Sequence, residues 1–369
     1  MTLLSLPGVF NALDATFAGG MSTADTVGIN NALALQATID AAQASGNPNG
    51  AIVLIPSFSL DTSGDHEYGP YLIAFPTGTS AINIPSTGSA TPILICGTGE
   101  GTELLMLSGG TTILFDVESD FVSFQDLTVH YDSSTSGLGT AFNFSTASGS
   151  GPANCNLFRV AIIDCQNPVC LIGTQHARLL ECYIDYGDSS LSFTMSAAVQ
   201  IVGGSQDTVI SQSILFWSPN APTPVATNYG ILIDGASNVK VSDSQISGFG
   251  TCIQIQGTSS ETTGVRVNGC DFYGSVGHDT SGPASSCAVI NPSVSDICFM
   301  NCHFEAEKGY NDTSGYFGPT AFYVVAATGT IVTIDGENTH LSSGGFSLAP
   351  GESAEIALGI VTHFLMVGK

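Results

Sequence analysis

The feature that most constrains this chain is a six-residue strand pattern that recurs without a fixed period. Seven segments align without gaps: 124–129 (Phe-Gln-Asp-Leu-Thr-Val), 158–163, 179–184, 210–215, 241–246, 267–272 and 299–304. Successive segments end 21 to 34 residues apart. Several units continue into a further alternating run, at 141–144, 198–201, 230–233, 252–255 and 321–324. A constant strand pattern at variable spacing means stacked coils whose loops differ in length. That is a β-solenoid, in which each unit buries its apolar face only against its neighbours.

The columns of the alignment agree. Leu127, Ala161, Cys182, Ser213, Ser244, Cys270 and Cys302 fall on one inward position. The residue before each (Asp126, Val160, Glu181, Gln212, Asp243, Gly269, Asn301) marks a tight corner between two strands. The long insertions, 186–197, 217–229, 274–287 and 306–320, all fall between the second and third strands of a coil. One rim therefore carries every long loop, and in repeat proteins such a rim is often the binding face.

Composition excludes several functions. Of 369 residues, 31 are acidic and 6 basic, for a net charge of −25. A basic phosphate-binding surface is absent, so nucleic acid is not an expected partner. The same shortage excludes a polybasic membrane-surface protein, and no apolar run is long enough to span a membrane. Residues 1–7 lack a basic stretch and an apolar stretch of the kind a signal peptide needs. The ten cysteines are scattered, without zinc or redox spacing, and are expected to be buried free thiols.

Before the repeats, Asp25-Thr26 leads into a helix from Val27 to about Ala44. Ala32, Leu35, Ile39 and Ala42 lie on one of its faces, and Gly46 closes it. The buried strand 51–55 follows and stops at Pro56. With Leu35-Gln-Ala-Thr-Ile-Asp-Ala-Ala42 and coils such as Asn238-Val-Lys-Val-Ser-Asp243, this arrangement resembles the pectate-lyase-like superfamily of single-stranded right-handed β-helix proteins. That superfamily contains polysaccharide hydrolases, lyases, epimerases and phage tailspikes. The resemblance implies an all-β right-handed parallel β-helix with a capping helix, an extracellular or virion-associated location, and a glycan partner. The expected divisions are an N-terminal arm and capping helix over 1–50, the β-helix over 51–330, and a β-rich cap or oligomerisation segment over 331–369. Resemblance to tailspikes and the apolar segments 346–351, 356–361 and 364–367 make a homotrimer the expected assembly. Last strands folding back over the core of a monomer are the alternative.

In this superfamily the substrate lies along the third-strand face between the long loops. The outward column expected there is Asn143, Gln200, Leu232, Gln254, Ile290 and Tyr323, with Asp234 and Gln256 two residues further on. Amides and an aromatic suit sugar hydroxyls and ring faces, although an amide ladder that only stabilises the stack gives the same pattern. Trp217 and Tyr229 are candidate stacking platforms in the 217–229 loop. The titratable groups sit in two similar loops, Gly277-His278-Asp279-Thr-Ser-Gly282 and Gly309-Tyr-Asn-Asp312-Thr-Ser-Gly315, with Glu307 nearby. Two carboxylates on one cleft supply the acid and base of glycoside hydrolysis, with His278 as a substrate contact and Asp234 as a further acid. Asx-turn chemistry accounts for the same Asp-Thr-Ser-Gly strings, and a Ca²⁺ site is a third explanation; no other cofactor is expected.

Two departures narrow the substrate. Polygalacturonases place acids immediately before the third strand, where this chain has Asn228-Tyr229 and Gly250-Thr251, and Gly277-His278-Asp279 lacks their second glycine. A lyase needs a cation for the uronate and a base for its proton. Arg178, Lys240 and Arg266 share an outward column with Arg159 on the same face, yet Arg178–Glu181 and Lys240–Asp243 are spaced for local ion pairs. An acidic surface repels polyuronates. The expectation is a glycoside hydrolase acting on a neutral or weakly charged glycan, with a lyase or epimerase and a non-catalytic, tailspike-like adhesin as alternatives.

Overall fold

A computed structural model describes residues 8–367 except 58, 61–65, 68, 76–77, 87–90, 99–100, 108–111, 133–138, 147–149, 188–194, 219–220, 222–223, 225–226, 259, 275–285, 292, 307–319, 325–330, 335–339, 344–345, 349–352 and 359–361. From residue 305 onward only the backbone is described.

The coils take the form the repeats require. In one coil the strands are Arg178–Leu180, Tyr183–Tyr186 and Ala197–Val202; in the next they are Val209–Ser211, Ile214–Trp217 and Tyr229–Asp234. Each strand pairs in parallel with its counterpart one coil on: Leu179 with Ile210, Ile184 with Leu215, and Gln200 with Leu232. First and second strands build one long parallel sheet and third strands a second. Between them runs a core of stacked aliphatic and aromatic residues, including Phe115, Phe124, Phe142 and Phe144.

The corner between first and second strands is a single residue in the left-handed region, with φ of 50–54° at Asp126, Glu181, Gln212, Asp243 and Asn301 and 64° at Gly269. In the coil of 156–163 the expected register is wrong by one residue. Leu127 pairs with Val160, so Arg159 (φ 49°) is the corner and Val160, not Ala161, points inward. A second left-handed corner, at Phe121, Asn154, His176, Asp207, Asn238, Gly264 and Asp296, precedes each first strand. The two corners are five positions apart in every one of these coils. This fixed step is the rigid part of the repeat, and the loops after the second strand supply the variation.

The helix runs Ile29–Ala44 with Ala32, Leu35, Ile39 and Ala42 fully buried. It packs on strands Val9–Asn11, Ala51–Ile55, Tyr71–Ile73 and Ser80–Ile84, which covers the first coil. Asp25 accepts the amides of Val27 and Asn31, and Gly28 takes φ 78° where a Cβ would lie 2.7 Å from the amide nitrogen of Ala74. At the other end, stacking continues past residue 330. Ile331–Ile334, His340–Ser343 and Phe346–Leu348 extend the three ladders, and Ser353–Leu358 adds one more parallel strand. The last strand, Thr362–Val367, then turns back antiparallel on Ser353–Leu358.

All ten cysteines are free; eight are buried and Cys96 and Cys298 are half-buried. Burial raises the thiols, Cys182 to about 11 and Cys155, Cys170 and Cys270 to about 12. No helix among the described residues is long and apolar enough to cross a membrane.

Candidate functional site

The third-strand face carries an outward column of Asn83, Asp116, Asn143, Cys170, Gln200, Leu232, Gln254 and Val289, and the backbone register continues to Tyr323 and Ser347. Val289 replaces the expected Ile290, which is fully buried because it continues the inward row of Ile255. Gln200 and Gln254 stand two rungs apart, as the repeat spacing requires.

The polar groups of this face are paired along the stack. Asn143 donates to Asp116 Oδ1 at 2.8 Å, and Ser80 donates to Asp116 Oδ2 at 3.0 Å. Gln200 Nε2 donates to Asn167 Oδ1 (3.2 Å) and Ser196 Oγ (3.1 Å). Gln254, 4% exposed, donates to Gln256 Oε1 at 3.2 Å, and Gln256 donates to Asp234 Oδ2 at 3.0 Å. Asp234 also accepts the amide of Thr258 at 2.8 Å and the Thr258 hydroxyl. Asp234 thus holds Gln256 in place, and its lone pairs are already engaged. Tyr229 is half-buried at the start of its third strand, and desolvation raises its hydroxyl pKa.

Trp217 is not a surface platform. It ends the second strand Ile214–Trp217 in register with Tyr186, is 2% exposed, and packs with ring centroids 4.4 Å from Tyr186 and 5.9 Å from Phe249. Asp279, Asp312, Glu307 and His278 lie outside the described residues, and so does the side chain of Tyr323. What the backbone does fix is where their loops begin and end. The breaks after Tyr183–Tyr186, Ile214–Trp217, Asp271–Gly274 and His303–Ala306 all open at the end of second strands, on one rim.

The expected pairs of the first-strand cations do not form. Arg159 instead makes a bidentate pair with Asp126 of the neighbouring corner, at 2.5 and 2.8 Å, and lies 4.0 Å over the Phe158 ring. Arg266 pairs with Asp296 of the next coil at 2.6 Å. Stacked coils bring a residue closer to the next rung than to a partner around a left-handed corner. Among the described residues Arg178 and Lys240 make no ion pair.

The second-strand face holds a cluster that the sequence did not single out. Its outward column runs His130, Ile163, Asp185, Phe216, Ser247 and Tyr273, with Thr128, Ala161, Tyr183, Ile214, Gln245 and Asp271 beside it. His130 Nδ1 lies 3.0 Å from Glu103 Oε1, and its Nε2 lies 3.7 Å from Asp164 Oδ2. The two carboxylates, Asp164 and Glu103, outweigh burial and raise the imidazole to about 9. Asp164 Oδ1 accepts the Gly187 amide at 2.9 Å. Tyr183 Oη donates to Asp185 Oδ2 at 3.0 Å, while Asp185 Oδ1 is buried without a hydrogen-bond partner of normal geometry among the described residues. Desolvation raises the Asp185 carboxyl, and the Asp164 charge adds to the rise, against the Tyr183 hydroxyl and the Tyr186 amide, which lower it. No group of three or more His, Cys, Asp or Glu among the described residues is placed to hold a metal ion.

Together these features define a single-stranded right-handed parallel β-helix protein, helix-capped. Four long insertions share the rim at the ends of second strands, whereas the segments 56–70 and 145–155, between a first and a second strand and after a third strand, do not follow the expected rule. No family model matches the chain, and no curated protein is similar to it in sequence. Solved structures are similar in fold. A double mutant of the tailspike protein of E. coli bacteriophage HK620, in complex with pentasaccharide, superposes with a TM-score of 0.61 at 12% identity, covering 95% of this chain and 65% of that one. The Agl-KA catalytic domain gives 0.56 at 13% identity, covering 96% and 69%. ORF18 of Geobacillus virus E2 gives 0.49 at 13% identity, covering 95% and 61%. This chain therefore spans less than two thirds of the tailspike and of the viral protein.

Proposed function

We propose that the chain is a carbohydrate-active β-helix that takes an extended neutral or weakly charged glycan along its loop-bearing rim and cleaves it by carboxylate-mediated hydrolysis. The observation that carries this proposal is the placement of four insertions of 10 to 13 residues (187–196, 218–228, 275–285 and 307–319) at the ends of second strands, beside a third-strand face ordered by amides and carboxylates. Amide side chains at every second rung, Asn143, Gln200 and the mostly buried Gln254, recur at about 9.6 Å, twice the strand spacing of about 4.8 Å, a regular polar repeat that suits a polymer lying across the coils. The fold likeness to a tailspike solved with a pentasaccharide and to a catalytic domain agrees with it. In this proposal Asp279 and Asp312, with Glu307 nearby, supply rim carboxylates, and His278, Tyr229 and Tyr323 contact the sugar.

A lyase or epimerase is less well supported. Two of the three arginines are held in bidentate pairs with Asp126 and Asp296. The cations left on the first-strand face, Arg178 and Lys240, lie away from the rim. The tailspike likeness favours a second reading, an extracellular or virion-associated trimer that binds glycan. The antiparallel strand Thr362–Val367 already covers one edge at the C-terminal end, which suits the monomer equally.

The test is a panel of neutral and acidic polysaccharides, scored for new reducing ends, with wild type, Asp279→Asn and Asp312→Asn. Hydrolysis of a neutral polymer, reduced about 10²–10⁴-fold in the variants at unchanged melting temperature, is the expected result. Binding without release of product supports the adhesin, and full activity in both variants removes those two carboxylates from the mechanism.

A further inference from the structure

Within the proposed hydrolase, the second-strand face offers a reaction centre built from groups 21 to 82 residues apart in sequence. Four observations converge on Asp185. It is the penultimate residue of the strand Tyr183–Tyr186, immediately before one of the long insertions, so it stands at the rim. Its Oδ1 is buried with no hydrogen-bond partner of normal geometry among the described residues, a costly state for an ionised carboxylate and a tolerable one for an acid. Its Oδ2 accepts from Tyr183, whose ring is 38% exposed. In the next coil Phe216 follows it in the outward column, and Ile214, 42% exposed, follows Tyr183. An apolar and aromatic strip thus abuts a carboxyl on one face, the combination that binds a sugar ring and presents a proton to it.

The charged groups around it are arranged to match. Glu103, His130 and Asp164 form one string across three coils, in which the imidazolium offsets one of the two carboxylates. The remaining negative charge on Asp164 disfavours ionisation of Asp185. Burial and this neighbouring charge both favour the neutral form of the Asp185 carboxyl, the form from which a general acid works.

We propose that Asp185 is the general acid of the hydrolytic site, positioned by Tyr183, with the sugar ring stacked on the Tyr183–Ile214–Phe216 strip of the second-strand face. The Asp185 proton passes to the glycosidic oxygen as the bond from that oxygen to the anomeric carbon breaks. A water oxygen forms the new bond to the anomeric carbon and gives up its proton to solvent water. Asp185 then regains a proton from solvent, so the step balances without a further reactant. His130 is a positioning residue here, since it touches Asp164 and Glu103 and not the sugar.

This inference rests on the hydrolase proposal, and the experiment separates the two. Wild type, Asp185→Asn and Phe216→Ala are assayed on the polysaccharide that wild type cleaves best, and on the dinitrophenyl glycoside of its repeating sugar. That aryl leaving group departs without needing a proton. Asp185→Asn should lower kcat on the polymer about 10²–10⁴-fold, keep most of its activity on the aryl glycoside, and lose the alkaline limb of the pH profile. Phe216→Ala should raise KM and leave kcat within a few-fold. Retained aryl-glycoside activity shows that Asp185→Asn is folded. Polymer activity equal to wild type, or equal losses on both substrates, overturns the assignment while leaving the hydrolase intact. A wild type that cleaves nothing overturns both.

Discussion

Replacing His130 by glutamine tests how charge joins neighbouring coils. The imidazole lies between Glu103 of one coil and Asp164 of another, 3.0 and 3.7 Å from their oxygens. The two carboxylates raise it from its ordinary 6.5 to about 9, which corresponds to roughly 3 kcal/mol of differential interaction. The side chain is 34% exposed, so solvent screening reduces the contribution to stability to about 1–2 kcal/mol. Because the folded value lies above the unfolded one, this stabilisation is complete below pH 6.5 and is lost as pH rises through 9. Urea unfolding followed through Trp217 fluorescence, at pH 6 and pH 10, reads both limits with one buried reporter. His130→Gln should cost about 1–2 kcal/mol at pH 6 and little at pH 10. Equal losses at both pH values would show that packing, not charge, holds the three coils, and no loss at pH 6 would refute the ion string altogether.

Other consequences can be checked on the folded protein. Trp217→Ala should destabilise by about 3–5 kcal/mol, as expected for an aromatic removed from a packed core, whereas a surface platform would leave the melting temperature unchanged. At the left-handed corner, Gln212→Gly should be neutral or stabilising and Gln212→Val should cost about 1–2 kcal/mol; equal stabilities by denaturant titration would contradict the strained corner. Native thiol titration should detect no more than Cys96 and Cys298, with the remaining cysteines reacting only after unfolding; rapid modification of Cys182 or Cys270 would contradict the buried stack.

The fold was legible because a solenoid writes its geometry into every coil. One short apolar segment, one corner residue and one loop insertion point recur, and seven copies average out local ambiguity. Where a single coil is ambiguous, the reading slips. Leu157 and Phe158 are both apolar, as are Ala161, Ile162 and Ile163, so hydrophobicity alone does not choose between two registers one residue apart. An arginine at a left-handed corner gives no warning, since Asn, Asp or Gly is the usual occupant. Val289 and Ile290 present the same ambiguity on the third strand. Trp217 looked like a loop residue because Ser218-Pro219 follows it, although its alignment with Tyr186 one coil earlier already marked an inward aromatic column. The cluster of Glu103, His130, Asp164 and Asp185 was missed for a different reason. Its members are distant in sequence and only stacking joins them. Reading one residue beyond each repeat would have placed His130, Asp185, Phe216 and Tyr273 in one outward column.

The central claim is that this β-helix hydrolyses a glycan at its loop-bearing rim. The most direct measurement is product mass spectrometry after digestion in water enriched in heavy oxygen, with ultraviolet absorbance recorded on the same sample. Hydrolysis places one heavy oxygen at each new reducing end, none at the new non-reducing end, and generates no unsaturated sugar, and that is the predicted result. Unsaturated products without heavy oxygen, or an intact polymer recovered still bound to the protein, would contradict it.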